Sequence, residues 1–245
     1  MNDKKSTNPG LPDPVWAAVR NESRRAVLDS LQTLDSEPDS DFDRITGLAA
    51  ALLDAPVALV TLVDLERQWF KSCFGVDESQ TPVSISFCAH AIAAGDGIMV
   101  MENALLDPLF STNPLVTGEH HLRFYVGAPL IVDGARLGTL CVLDRKPRPR
   151  PSPEILDQLK ALAGIASSLF ALKDGARTGA LARAALAREE GRRAIAVEAA
   201  GLASWVWDVR TDRVECDAVL PVLFNLAPAS HIDVSELFAA IDRRT

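Results

Sequence analysis

The chain has no unbroken apolar run of membrane length, no paired cysteines and no excess of positive charge, and each shortage closes off a class of protein. Its longest apolar stretches, Ala49 to Val63 and Ala161 to Leu172, are interrupted by Asp54 and Pro56 or by Ser167-Ser168. They fall short of the roughly 18 residues that cross a bilayer, so no membrane helix is expected. The opening Met1-Asn2-Asp3-Lys4-Lys5-Ser6-Thr7-Asn8-Pro9-Gly10 carries charge without a following apolar core. A secretory leader has that core, so a cytoplasmic location is expected. The four cysteines, Cys73, Cys88, Cys141 and Cys216, form no CxxC pair, which speaks against structural zinc and against a secreted disulfide framework. Reduced thiols follow. With 25 Lys+Arg against 33 Asp+Glu the net charge is -8, and the dense basic stretch is short, Arg145-Lys146-Pro147-Arg148-Pro149-Arg150. Nucleic acid, which binds through neutralised phosphates, is not an expected partner.

What is present is 245 residues, 48% of them hydrophobic, enough for one sizeable core and part of a second. Apolar positions at Val19, Ala26, Val27, Leu31 and Leu34 predict one amphipathic helix over 14–34, ended by the acidic Asp35-to-Asp41 stretch. A second helix through Ile45, Leu48, Ala49, Leu52 and Leu53 stops at Pro56, before the buried-strand pattern Val57-Ala58-Leu59-Val60-Thr61-Leu62-Val63. The charged Asp64-Leu65-Glu66-Arg67 reads as a turn into an antiparallel partner, Gln68 to Phe74. A short helix at Phe87 to Ala94 and a strand at Ile98 to Met101 follow, within a long irregular region of the kind that holds ligands. Asp133-Gly134 between strands Phe124–Val132 and Arg136–Leu143 is a two-residue hairpin signal. Pro153-Glu154 opens a helix with Ile155, Leu159, Leu162, Ala166 and Leu169 on one stripe, continued by an Ala/Arg/Glu-rich connector to Ala200. Strands return at Ser204–Val209 and Arg213–Cys216, around a Thr211-Asp212 turn.

Several blocks occur in a recognisable order: Thr61-Leu62-Val63-Asp64, Arg67-Gln68-Trp69-Phe70-Lys71, Ser86-Phe87-Cys88-Ala89-His90-Ala91-Ile92, Asp107-Pro108, Asn113-Pro114, Arg123-to-Leu130 and Gly138-to-Asp144. This resembles the GAF domains of bacterial sensor histidine kinases and cyclic-di-GMP enzymes. The segments Gly201-to-Val209 and Val219-to-Leu226 look like the opening of a PAS domain, with Asn225 where glycine is usual; asparagine also tolerates the left-handed conformation. The resemblance implies an α+β fold: an antiparallel sheet of five or six strands, helices on one face forming a dimer bundle, and a pocket on the other. The expected organisation is an N-terminal tail and helix (1–35), a GAF domain (36–172), a helical linker (173–200) and a truncated PAS domain (201–245). It further implies a non-enzymatic sensory module that forms a homodimer through its terminal helices, binds a small molecule, and signals to a kinase or cyclase effector. No cofactor or metal is assigned.

Candidate pocket residues are Phe87, Cys88, His90, Asp107, Phe110, His121, Arg123, Tyr125 and Cys141. Cys88 and His90 could form an activated thiolate or anchor a bilin, but residues two apart do not share a helix face, and the plainer reading is a packed thiol and a local hydrogen bond. Cys73, Cys88 and Cys141 could converge as in GAF-fold methionine sulfoxide reductases, although Cys141 in an apolar strand reads as an inert core thiol. Glu119-His120-His121 lacks the further ligands of a metal site. Arg123 and Asp107 read as a loop-to-sheet salt bridge or a ligand clamp. Trp205 and Trp207, alternating on one strand, read as core or interface residues.

Overall fold

In a computed structural model of the chain, residues 8–95, 97–200 and 202–242 are described. The stretch 1–7, Gly201 and the closing Arg243-Arg244-Thr245, on which the sequence reading also drew, lie outside them. The chain divides into two compact units, Met1–Ala176 and Arg177–Thr245.

The first unit is built on a six-stranded antiparallel sheet. Its strands are β1 (Val57–Val63), β2 (Arg67–Phe74), β3 (Gln80–Pro82), β4 (Met99–Met101), β5 (Phe124–Val132) and β6 (Ala135–Asp144), in the order β3-β2-β1-β6-β5-β4. Strand side chains alternate between faces, and here both faces are covered. Ala58, Val60 and Leu62 of β1 join Phe124, Val126, Ala128 and Leu130 of β5 and Leu140 and Val142 of β6 in one core. Leu59 and Val63 of β1 join Tyr125 and Cys141 in another. The nearly unbroken apolar runs of these strands follow from that double burial. The β5–β6 hairpin turns at Asp133 and Gly134, with φ of 48° and 75°, the positive pair that a two-residue turn between twisted strands requires.

Helix α2 (Glu22–Leu31), helix α3 (Ser40–Leu52) and the first part of α6 (Pro153–Ala199) cover the first face, through Leu28, Leu31, Phe42, Ile45, Leu159, Ala163, Ala166 and Phe170. Helix α1 (Asp13–Val19) and helix α4 (Phe87–Ala93) cover the second, which also holds the short helix α5 (Pro114–Thr117). The single helix expected over 14–34 is therefore two helices. Asn21 breaks it: its side chain accepts the Arg24 backbone N–H at 2.9 Å, the cap of a new helix start. The break sends Val15, Trp16 and Val19 to one side of the sheet and Leu28 and Leu31 to the other.

Helix α6 runs 47 residues. By length and composition its stretch 153–192, which holds an 18-residue window of mean hydropathy 1.4, is long and apolar enough to cross a bilayer, contrary to the expectation that no segment is. A core helix passes the same test, and Leu159, Ala163, Ala166 and Phe170 of that stretch are buried in the sheet's core.

In the second unit β7 (Trp205–Asp208), β8 (Arg213–Cys216) and β9 (His231–Asp233) form an antiparallel sheet with α7 (Val219–Leu223) and α8 (Val234–Asp242). Val214, Leu220, Ile232 and Leu237 make its small core. Asp212 and Asn225 both take positive φ, 52° and 54°. Trp205 and Trp207 are 52% and 40% exposed, so they are not core residues; Trp207 meets Phe238 edge-on at 6.4 Å.

Gly138 lies where β6 crosses β1, and a Cβ there would stand 1.8 Å from the Thr61 carbonyl oxygen. Gly138→Ala should therefore lower stability by about 1–3 kcal/mol, as overpacking does. Gly164 sits in α6 with open space at its missing Cβ, and Gly164→Ala should raise stability by about 0.5–1 kcal/mol. Urea denaturation of the two variants checks the contrast; equal effects would refute it.

Candidate functional site

On the second face a cavity of about 90 Å³ opens between the sheet and α4. Its walls come from alternate positions of the central strands: Val57 and Leu59 of β1, Phe70 of β2, Tyr125 of β5, Cys141 and Leu143 of β6, with Phe87 and Cys88 of α4. Helix α4 is fixed there by its cap. The Ser86 hydroxyl accepts the Ala89 N–H at 3.0 Å and donates to the Gln68 side-chain oxygen on β2. Exposed Glu78 and His120 also line the cavity, with Glu78 Oε1 4.0 Å from His120 Nδ1.

The floor is a knot of thiols and hydroxyls. Cys88 Sγ accepts from Thr139 Oγ1 at 2.9 Å and from the Tyr125 hydroxyl at 3.5 Å, and stands 3.8 Å from Cys141 Sγ. Thr139 is tied in turn to Thr61, their hydroxyl oxygens 3.4 Å apart. Gly127 makes the arrangement possible: two residues along β5 from Tyr125, and so on the same face, its missing Cβ would lie 2.1 Å from the Tyr125 hydroxyl oxygen. Burial pushes the Cys88 thiol up, but hydrogen bonds from Cys141, Thr139, Thr61 and Tyr125 outweigh it and bring it from 9.0 to about 7. Burial and then Cys88 itself push Cys141 well up. Tyr125 is raised by burial and by the two thiols, so it stays a donor. The arrangement makes Cys88 the acidic member of a buried thiol pair.

Of the nine sequence-selected residues, Phe87, Cys88, Tyr125 and Cys141 line this cavity. The other five do not. Phe110 stacks on the far side of Phe87 with ring centroids 4.2 Å apart, and His90 stands edge-on to Phe110 at 4.8 Å. Asp107 accepts the Leu109 N–H in its own loop. His121 is exposed with a φ of 49°. Arg123 donates to the Val116 and Leu122 carbonyls at 2.8 and 2.9 Å, so it pins the loop through backbone oxygens rather than through Asp107. Cys141 is not a solitary core thiol, because α4 sets Cys88 beside it. Cys73 is exposed on β2, outside the cluster. Sequence reasoning missed Thr139, Thr61 and Gly127. Among the described residues no group of three His, Cys, Asp or Glu side chains is placed to hold a metal ion.

A six-stranded antiparallel sheet between helices, with a cavity on the face away from the long helix, is the α+β architecture of a GAF domain. The GAF domain family matches residues 37–169, and the chain belongs to that family. It is 46% identical over 127 residues to a cyclic di-GMP phosphodiesterase of Pseudomonas aeruginosa, a match covering 51% of this chain and 22% of the relative's length. The chain thus spans about a fifth of that relative. Among solved structures it is similar to the GAF domain of an Acinetobacter phosphoenolpyruvate-protein phosphotransferase, 21% identical with a TM-score of 0.46 over 60% of this chain and 93% of that one. It is likewise similar to the blue-light-absorbing PixJ GAF domain of Thermosynechococcus elongatus, 15% identical with a TM-score of 0.48 over 69% and 98%.

Burial lowers the His90 pKa from its ordinary 6.5, with the Asp107 charge pulling the other way. The unfolded chain therefore takes up this proton first as the pH falls, and folding stability drops through the range below 6.5. Urea denaturation at about pH 7.5 and about pH 5 should show a smaller loss in His90→Gln than in the wild type. Equal losses would contradict this.

Proposed function

We propose that the chain is the sensory and dimerising part of a cytoplasmic cyclic-di-GMP signalling protein, acting through ligand occupancy rather than catalysis. The observation that carries this reading is the placement of the cavity and of α6 on opposite faces of the same strands. Leu59, Tyr125 and Cys141 face the cavity while Val60, Val126 and Val142 face the core that holds Leu159, Ala163 and Phe170. Filling the cavity would shift strands on which α6 rests, and a change of tilt or register in α6 is a signal that a second domain can read. The cavity volume is below the about 300–1,000 Å³ of drug-sized sites, which favours a small ligand over a bilin on Cys88. The second unit would be the start of a PAS domain, and the Pseudomonas relative's name favours cyclic di-GMP turnover as the output; a kinase is the other effector such modules serve.

Dimerisation would use the outer side of α6. Ile165 and Leu172, seven residues apart, are 57% and 70% exposed, the spacing at which a helix presents one seam to a partner. Sedimentation of the purified chain should give a dimer, and Ile165→Glu with Leu172→Glu a monomer of unchanged helicity. Native mass spectrometry of the same samples should show a retained small molecule. A monomeric, ligand-free wild type would overturn the proposal.

A further inference from the structure

We propose that Cys88 and Cys141 form a peroxide-reactive dithiol, closing to a disulfide across the cavity floor when a small hydroperoxide enters. Three observations meet here. The sulfurs are 3.8 Å apart in two different elements, α4 and β6, so about 1.8 Å of approach brings them to the S–S bond length of about 2.05 Å. Both face a cavity sized for a small molecule. The hydroxyls of Thr139 and Tyr125 point their hydrogens at Cys88 Sγ, which stabilises its thiolate and holds a donor ready beside the reacting oxygen. Cys141, the less acidic of the two thiols because burial and Cys88 push it up, serves as the resolving thiol.

The chemistry balances without a bound cofactor. The Cys88 thiolate attacks one peroxide oxygen; an S–O bond forms as the O–O bond breaks, and the departing alkoxide or hydroxide leaves as ROH or water after taking a proton. Sulfur loses two electrons to become a sulfenic acid, and the peroxide gains them. The Cys141 sulfur then attacks Cys88 Sγ, the S–S bond forms, and hydroxide leaves, taking the Cys141 proton to become water. The sum is two thiols and one hydroperoxide giving one disulfide, ROH and water. Thr139 acts here as a positioning residue for the thiolate. Cys73 and Cys216 are the comparators: burial, then nearby carboxylates, raises both thiols, so the better-exposed cysteines are the less acidic. The thiol chemistry does not depend on the regulatory reading above, and the test reads the chemistry alone.

The test is to treat the whole reduced chain with one equivalent of hydrogen peroxide and map its peptides without reduction. The expected result is a Cys88–Cys141 cross-linked peptide about 2 Da lighter than the two thiols, formed about ten-fold or more faster than any oxidation of Cys73 and reversed by dithiothreitol. Cys141→Ser should instead leave a sulfenic acid on Cys88 that dimedone captures. Thr139→Val should move the pH midpoint of that capture upward, which a merely structural threonine would not do. Oxidation of Cys73 ahead of Cys88, or absence of both the cross-link and the dimedone adduct in chains that keep the wild-type circular dichroism, would overturn the proposal.

Discussion

Three strands, β1, β6 and β5, have no solvent face along most of their length, and the rest of the first unit is arranged around that constraint. A strand buried on both sides must have every backbone group paired within the sheet. Both of its side-chain rows must also find apolar partners, each fully buried Val or Leu contributing about 1.5–3 kcal/mol. The antiparallel registers of β6 with β1 and β5, Leu59 opposite Cys141 and Val126 opposite Val142, align the rows. Layers of helices on both sides complete them. One backbone thickness then separates the cavity from the helix core.

Ion pairs tie the elements of this arrangement together at two points. Arg148, from the short basic stretch, donates to the buried carboxylate of Asp144 and to the carbonyls of Leu53 and Asp54, each at 2.7 Å. It thereby closes the end of α3 onto the end of β6. Lys173 of α6 pairs with Asp39 and Asp41 at 2.9 and 3.1 Å, tying the connector to the start of α3. The Lys173 pairs lie near the surface, where solvent weakens an ion pair, so they orient α6 while apolar burial holds it.

Much of the fold was legible because its signals are local. Pro56 before a β-branched run, Asp133-Gly134 between two strands, and Pro153-Glu154 before an apolar stripe each fix an element within a few residues. The helix break at Asn21 was equally local, an Asn three residues before Arg24, but the apolar stripe running through it masked the cap. The site was less legible for a different reason: Cys88 and Cys141 are 53 residues apart in sequence and meet only through packing of α4 on β6. One local sign existed. Tyr125-Val126-Gly127 places a glycine on the face of a buried tyrosine, which marks room made for the phenol's tip. His90 of α4 and the loop residues Asp107, His121 and Arg123 carried chemistry by type alone, and their side chains turn to ring, backbone or solvent.

Packing in the cavity and packing under α6 should be energetically linked through the strands they share. The most direct measurement is a double-mutant cycle in urea denaturation with Cys141→Ala on the cavity face of β6 and Leu159→Ala on α6. Linkage through the sheet predicts a coupling of at least about 0.5 kcal/mol between the two sites. Additivity to within about 0.3 kcal/mol would mean that the faces are independent, and would contradict the account.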